Sequence, residues 1–186
     1  KMSKSLGNVV TPQKIIQQNG ADILRLWVVS SDYYDDLRIG PEIIKRQTDH
    51  YRRIRNTLRY LLGSIKDFSR KEMIVYEEMS ELERWLLNRL FEIDKIIREK
   101  TINYDFHGIF TLLHDFCNND LSAFYFDIRK DTLYCDSFMS IERMSCRVAM
   151  TFTFQCLVKW IAPILCFTAE EAWLSYNNDE NDSVHF

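Results

Sequence analysis

The stretch Pro41-Glu42-Ile43-Ile44-Lys45-Arg46-Gln47-Thr48-Asp49-His50-Tyr51-Arg52-Arg53-Ile54-Arg55-Asn56-Thr57-Leu58-Arg59-Tyr60-Leu61-Leu62-Gly63-Ser64-Ile65 decides the fold class. Ile44, Tyr51, Ile54, Leu58, Leu61 and Ile65 recur at helical spacings, which draws one apolar stripe along a long amphipathic helix. Pro41 suits the first helical position, because its φ is preset and its missing N–H is not needed there. The remaining surface is cationic. Lys45, Arg46, Arg52, Arg53, Arg55, Arg59 and Lys66 are opposed only by Glu42 and Asp49. A helix with one apolar face must bury it against other helices, so the neighbouring chain is read for partners.

Downstream, Ser69 to Met79 is polar and reads as a loop. Ser80-x-x-Glu83 matches a capping box. The helix it predicts carries Leu82, Leu86, Leu90, Ile93 and Ile97, with Trp85 beside the stripe, and ends near Lys100. Asp105 is placed to cap a further helix through Phe106, Ile109, Phe110, Leu113, Phe116 and Cys117. Asn118-Asn119-Asp120 predicts a weakening or bend, after which Leu121, Phe124, Tyr125 and Ile128 resume the pattern up to Lys130-Asp131. Tyr134 to Phe138 reads as a connection. Ser140 is placed to cap a last long helix through Trp160, apolar on much of its circumference at Met144, Val148, Phe152, Cys156, Val158 and Ile161. Such a helix belongs in the middle of a bundle. Pro163 interrupts it, and Thr168-x-x-Glu171 suggests a second capping box for a short helix to Leu174. Upstream, Thr11-Pro12 opens a short helix that Asn19-Gly20 stops, and a second runs from Ala21 to about Val29. The expected fold class is mainly all-α. Residues 1–40 form a loop and compact connector, residues 41–176 an antiparallel helical bundle, and residues 177–186 a polar tail.

Composition agrees. The chain has 186 residues, 46% apolar and 13% aromatic, enough for a core, and its 5 Gly and 3 Pro disfavour a turn-rich β fold. Net charge is -3, so nucleic-acid binding must come from a local patch rather than a global field. Five cysteines without a CxxC pair read as reduced, mostly buried thiols of a cytoplasmic protein, with no zinc site in this chain. No apolar run reaches the length of a membrane helix. His107 and His114 lie two turns apart, the wrong spacing for a two-histidine metal pair. All four histidines are read as packing or surface residues, and no metal site is expected.

Lys1-Met2-Ser3-Lys4-Ser5-Leu6-Gly7-Asn8 combines two lysines with small hydroxyl residues and glycine. This composition suits a loop that neutralises phosphates, although a solvated terminus has the same composition. The segment also resembles the signature loop of class I aminoacyl-tRNA synthetases. Gly20-Ala21-Asp22-Ile23-Leu24-Arg25-Leu26-Trp27 is similar to the stretch that follows this loop in the isoleucine, valine, leucine and methionine enzymes. Tyr51 to Arg59, Asp120 to Tyr125, Asp127 to Tyr134 and Ala162 to Glu171 resemble isoleucyl-tRNA synthetases more specifically, as does Leu6.

The resemblance spans nearly the whole chain and implies a stem-contact segment followed by an anticodon-binding bundle. It implies an enzyme that joins isoleucine to ATP, with Mg2+, and passes it to isoleucine tRNA. Lys4, assisted by Lys1, would stabilise the ATP phosphates as pyrophosphate leaves. Lys1, Met2, Ser3, Lys4 and Ser5 would form the ATP-contacting loop. The nucleotide-binding sheet, amino-acid pocket and editing domain are not in this sequence. The chain is therefore expected to be a piece of a larger, monomeric cytoplasmic enzyme, and inactive in adenylate formation alone.

Candidate tRNA contacts are Arg52, Arg55 and Arg59 on the long helix and Arg25 and Arg38 in the connector. The alternatives stay open. The basic row can be a solvated face, and Arg25 or Arg38 can pair with Asp22, Asp35 or Asp36. Trp27, Trp85, Trp160 and Trp173 can stack on unpaired bases, but their helical spacing favours core packing. A stand-alone tRNA-binding module, an interaction scaffold, and the corresponding part of a valine- or leucine-specific relative are the competing functional readings.

Overall fold

The computed structural model describes residues 2–33, 36–69, 72–177 and 182–186, with Lys4 described by its backbone only. Its helices are α1 (Pro12–Asn19), α2 (Ala21–Ser30), α3 (Pro41–Ser64), α4 (Glu81–Ile102), α5 (Phe106–Asp115), α6 (Phe126–Cys135), α7 (Ile141–Ile161) and α8 (Cys166–Asn177). No β-strand occurs among the described residues. The all-α expectation holds. No described helix is long and apolar enough to cross a membrane.

Burial explains the arrangement. α7 packs against α3, α4, α6 and α8. Cys146, Ala149, Met150, Phe154 and Leu157 on it are wholly buried. Ile54, Leu58 and Leu61 of α3 and Leu86, Leu90 and Ile93 of α4 join the same core. Phe152 departs from the expected apolar stripe and stays exposed. Buried hydroxyls within α7 are satisfied locally: Thr151 donates to the Arg147 carbonyl and Thr153 to that of Ala149, both at 2.8 Å. Ser140 caps α7 by accepting from the Arg143 amide at 3.2 Å, and Asp105 caps α5 by accepting from Gly108 at 2.8 Å. Caps of this kind contribute about 1 kcal/mol each.

Both expected capping boxes give way to tertiary contacts. Glu83 does not reach back to Ser80, and the Ser80 side chain makes no capping bond. The Glu83 carboxylate is buried and accepts two bonds from Arg129, at 2.6 and 2.7 Å, and one from Tyr125 Oη at 2.9 Å. Bidentate pairing inside the bundle outcompetes a local cap exposed to water. Thr168 lies inside α8, which begins at Cys166 and runs on to Asn177 rather than stopping at Leu174. Its hydroxyl donates to Asp22 at 2.6 Å, and Glu171 pairs with Arg55.

The predicted bend at Asn118-Asn119-Asp120 is a π-helical segment, Phe116–Tyr125, linking α5 to α6. The three polar side chains of the predicted bend find partners that are not backbone groups: Asn118 the His114 ring, Asn119 the Asp115 carboxylate, Asp120 the Arg89 guanidinium. None of the three competes for the helix's backbone bonds, so helical structure continues. Leu133 is buried, which holds α6 in place through Cys135, beyond the Lys130-Asp131 stop read from sequence. Of the cysteines, only Cys117 and Cys146 are buried, whereas Cys135 is exposed. Burial pushes the Cys117 and Cys146 thiols up to about 12.

Candidate nucleic-acid interface

α2 is anchored to the bundle by two charged side chains. Asp22 accepts from the Thr168 amide at 2.8 Å and hydroxyl at 2.6 Å, covering the start of α8. The first amides of a helix lack intrahelical partners, so a carboxylate supplied from α2 serves as their cap. Arg25 donates through Nε to the Ile164 carbonyl at 2.8 Å and through Nη2 to that of Pro163 at 2.7 Å. It therefore holds the α7–α8 turn and pairs with neither Asp22 nor Asp36, while Asp35 lies outside the described residues. Arg38 is exposed; its carbonyl accepts from Trp27 Nε1 at 3.3 Å, leaving its side chain outward.

The opening loop is a short turn. The Ser3 amide donates to Asn8 Oδ1 at 2.8 Å, the Ser3 and Ser5 hydroxyls are 2.8 Å apart, and the Val10 amide meets Met2 Sδ at 3.2 Å. Lys4–Leu6 is a 3-10 turn followed by Gly7 at φ +63°, a left-handed geometry that glycine adopts freely. Met2, Ser3, Lys4 and Ser5 thus share one turn, and Lys1 lies outside the described residues. The loop leads into a cleft of about 540 Å³ between α1 and α3, which Val10, Lys14, Gln18, Lys45 and Arg52 help to line.

The face of α3 is where the cations gather. Lys45, Arg52 and Arg59 are exposed and seven residues apart, so they form one line along the helix with steps of about 10.5 Å. Arg52 pairs with Asp49 at 3.3 Å and Arg55 with Glu171 at 3.1 Å. All four groups are at least half exposed, and such pairs are worth about 0–1 kcal/mol, so a phosphate can displace them. Lys14, Lys45, Arg46, Arg53 and Arg59 have no carboxylate at ion-pair distance among the described residues. Of the sequence candidates, Arg52, Arg55 and Arg59 are brought together on α3, while Arg25 is directed into the α7–α8 turn. Lys45 belongs with them, while Arg46 and Arg53 lie about 100° round the helix from the Lys45–Arg52–Arg59 line. Sequence reading placed these three on the basic face but could not separate paired from unpaired cations.

The tryptophans divide. Trp160 is buried, donating to Asp94 at 3.0 Å, while Trp27 and Trp173 are half-buried. Trp85 departs from the packing expectation: it is 37% exposed, edge-on to Phe124 with ring centroids 5.3 Å apart. Among the described residues no group of three or more His, Cys, Asp or Glu is gathered as a metal site.

Residues 83–186 match the family model of the anticodon-binding domain of tRNA ligase. The chain belongs to this family. Residues 1–40 also match the model of class I tRNA synthetases (I, L, M and V). Among its relatives, the isoleucine–tRNA ligase of Ruegeria pomeroyi is 50% identical over 186 residues, covering 100% of this chain and 19% of that protein. That of Agrobacterium fabrum is 51% identical over 185 residues, with coverage of 100% and 19%. The chain therefore spans about a fifth of the length of these ligases. The fold recurs in the crystal structure of a ternary complex of Agrobacterium radiobacter K84 agnB2 LeuRS with tRNA and LeuAMS. The TM-score there is 0.73 at 18% identity, over 99% of this chain and 21% of that one.

Proposed function

We propose that this chain is the tRNA-contacting bundle and signature loop of an isoleucine–tRNA ligase. The observation that carries the reading is the Lys45–Arg52–Arg59 line on α3, opened to solvent on a helix that packs against the residues matched to the anticodon-binding domain. Phosphate contacts of this kind supply affinity and fix register without reading sequence. Arg55 and Arg38 extend the surface on either side; Arg25 acts by fixing α2 to the bundle that presents it. In the intact ligase the partners are isoleucine tRNA, isoleucine and ATP, and the enzyme works as a cytoplasmic monomer. Lys4, with Lys1, stabilises the charge that develops on pyrophosphate. Mg2+ travels with the nucleotide, and no step is assigned to a metal held by this chain.

Binding of isoleucine tRNA against valine and leucine tRNAs at two salt concentrations tests the reading. Tighter binding of isoleucine tRNA is expected, with all three weakened by salt. Equal affinities would overturn selection by this bundle. The chain alone is expected to show no isoleucine-dependent ATP–pyrophosphate exchange, and detectable exchange would contradict the assignment of ATP binding to parts of the ligase outside it.

A further inference from the structure

The flank of α3 facing α5 carries a cluster that tRNA-ligase membership does not assign. The His50 and His114 rings lie 4.5 Å apart between centroids, backed by Phe110 at 5.5 and 5.8 Å. Arg46 and Arg53 stand four residues before and three after His50, hence on its side of the helix. Both guanidinium groups are exposed and lack a carboxylate partner among the described residues. The nearest acids are engaged, Asp49 with Arg52 and Asp115 with Asn119. α2, which also packs here, turns its own charges, Asp22 and Arg25, toward the α7–α8 turn. Asn118 lies 3.0 Å from the His114 ring, and His50 Nδ1 has no hydrogen-bond partner. Four cationic or protonatable groups thus gather on one flank of α3, where neither Arg46 nor Arg53 has a carboxylate at ion-pair distance among the described residues.

We propose that Arg46, His50, Arg53 and His114 form a binding site for a backbone phosphate of RNA, and that the histidine pair takes up a proton as the phosphate binds. The site rests on the RNA-binding reading above and adds a residue set and a pH dependence to it. In the free chain, burial lowers the pKa of both rings. Arg53 and then Arg46 lower that of His50 further, and His50 and then Arg53 lower that of His114; Asp49 and Asp115 act weakly in the opposite sense. A phosphate beside the arginines offsets their charge and raises both values. Between the free and bound values, binding is accompanied by proton uptake, so affinity rises as pH falls. Phosphodiesters do not titrate in this range, so the proton is taken up by the protein, and the His50/His114 double variant isolates the pair.

Two measurements on the 186-residue chain test the site. Isoleucine tRNA binding, at constant ionic strength, is expected to tighten roughly three- to tenfold between about pH 7.5 and about pH 6. That tightening should disappear in His50→Gln/His114→Gln, whatever its affinity at the higher pH. A pH-independent wild type, or a double variant that keeps the full tightening, overturns the proposal. Independently, histidine ring proton NMR is followed with and without inorganic tripolyphosphate as the probe. The His50 and His114 pKa values are expected to rise with the probe. No rise overturns the site without needing any variant to fold. A rise in a chain that binds no tRNA would instead keep the anion site and remove the RNA-binding reading on which its biological ligand rests.

Discussion

Arg25, Arg129 and Arg147 spend their guanidinium groups on carbonyls and carboxylates of other segments, whereas Arg46, Arg53 and Arg59 on α3 hold theirs in solvent. Arg129 is a bidentate partner of buried Glu83, and Arg147 donates to the Ser64 and Lys66 carbonyls and to Glu72. The first three fix how helices and turns meet, while Arg46, Arg53 and Arg59 make no ion pair among the described residues and remain available to an outside anion. The residue type is the same in both groups. What separates them is whether a carboxylate or a free carbonyl from another element comes within reach.

The sharpest way to break this contrast is at Arg129. Arg129→Ala leaves the Glu83 carboxylate buried without its partner, which costs about 3–5 kcal/mol. Thermal unfolding followed by circular dichroism should then show Tm lower by roughly 10 °C. Replacing the pair together, Glu83→Leu with Arg129→Met, should cost less than the single change, because no orphan charge remains. A single variant as stable as wild type would place Arg129 with the solvent group. Asp22→Ala comes next. It strips the cap from α8 and should cost roughly 1–3 kcal/mol, also read as Tm. Arg25→Ala should behave similarly if its two carbonyl bonds hold the α7–α8 turn.

The smallest stability effect concerns the histidine pair. Both folded-state pKa values lie below the unfolded value, so the unfolded chain binds protons first as pH falls from about 6.5. Stability is therefore lost as pH drops through that window, by at most a few degrees in Tm. His50→Gln/His114→Gln should flatten the loss, and an unchanged pH profile of Tm would show that the pair does not titrate as described.

Much of the fold was legible because helical periodicity reports burial directly. The α3 stripe, the α4 stripe, the caps at Asp105 and Ser140 and the central place of α7 follow from spacing and local chemistry. Ser80-x-x-Glu83 and Thr168-x-x-Glu171 misled because a capping box competes with long-range partners that no local window contains. Arg129 lies 46 residues beyond Glu83, and Asp22 lies 146 residues before Thr168. The site was legible to the same depth. Sequence put Arg52, Arg55 and Arg59 on one face, yet gave no reason to separate Arg25, committed to the Pro163 and Ile164 carbonyls, from Arg38. Nor could it bring His50 beside His114, which sit on different helices.

The open cationic face of α3 is the centre of this account. Its direct test is the salt dependence of tRNA binding by wild type and by Lys45→Ala/Arg52→Ala/Arg59→Ala. Each phosphate contact removed should reduce the slope of log K against log salt by roughly 0.7–0.9, so the triple variant should be shallower by about 2. Its Tm should stay within a few degrees of wild type, since exposed substitutions cost about 0.5 kcal/mol or less each. An unchanged slope in a folded variant would return the α3 row to a solvated surface and contradict the account.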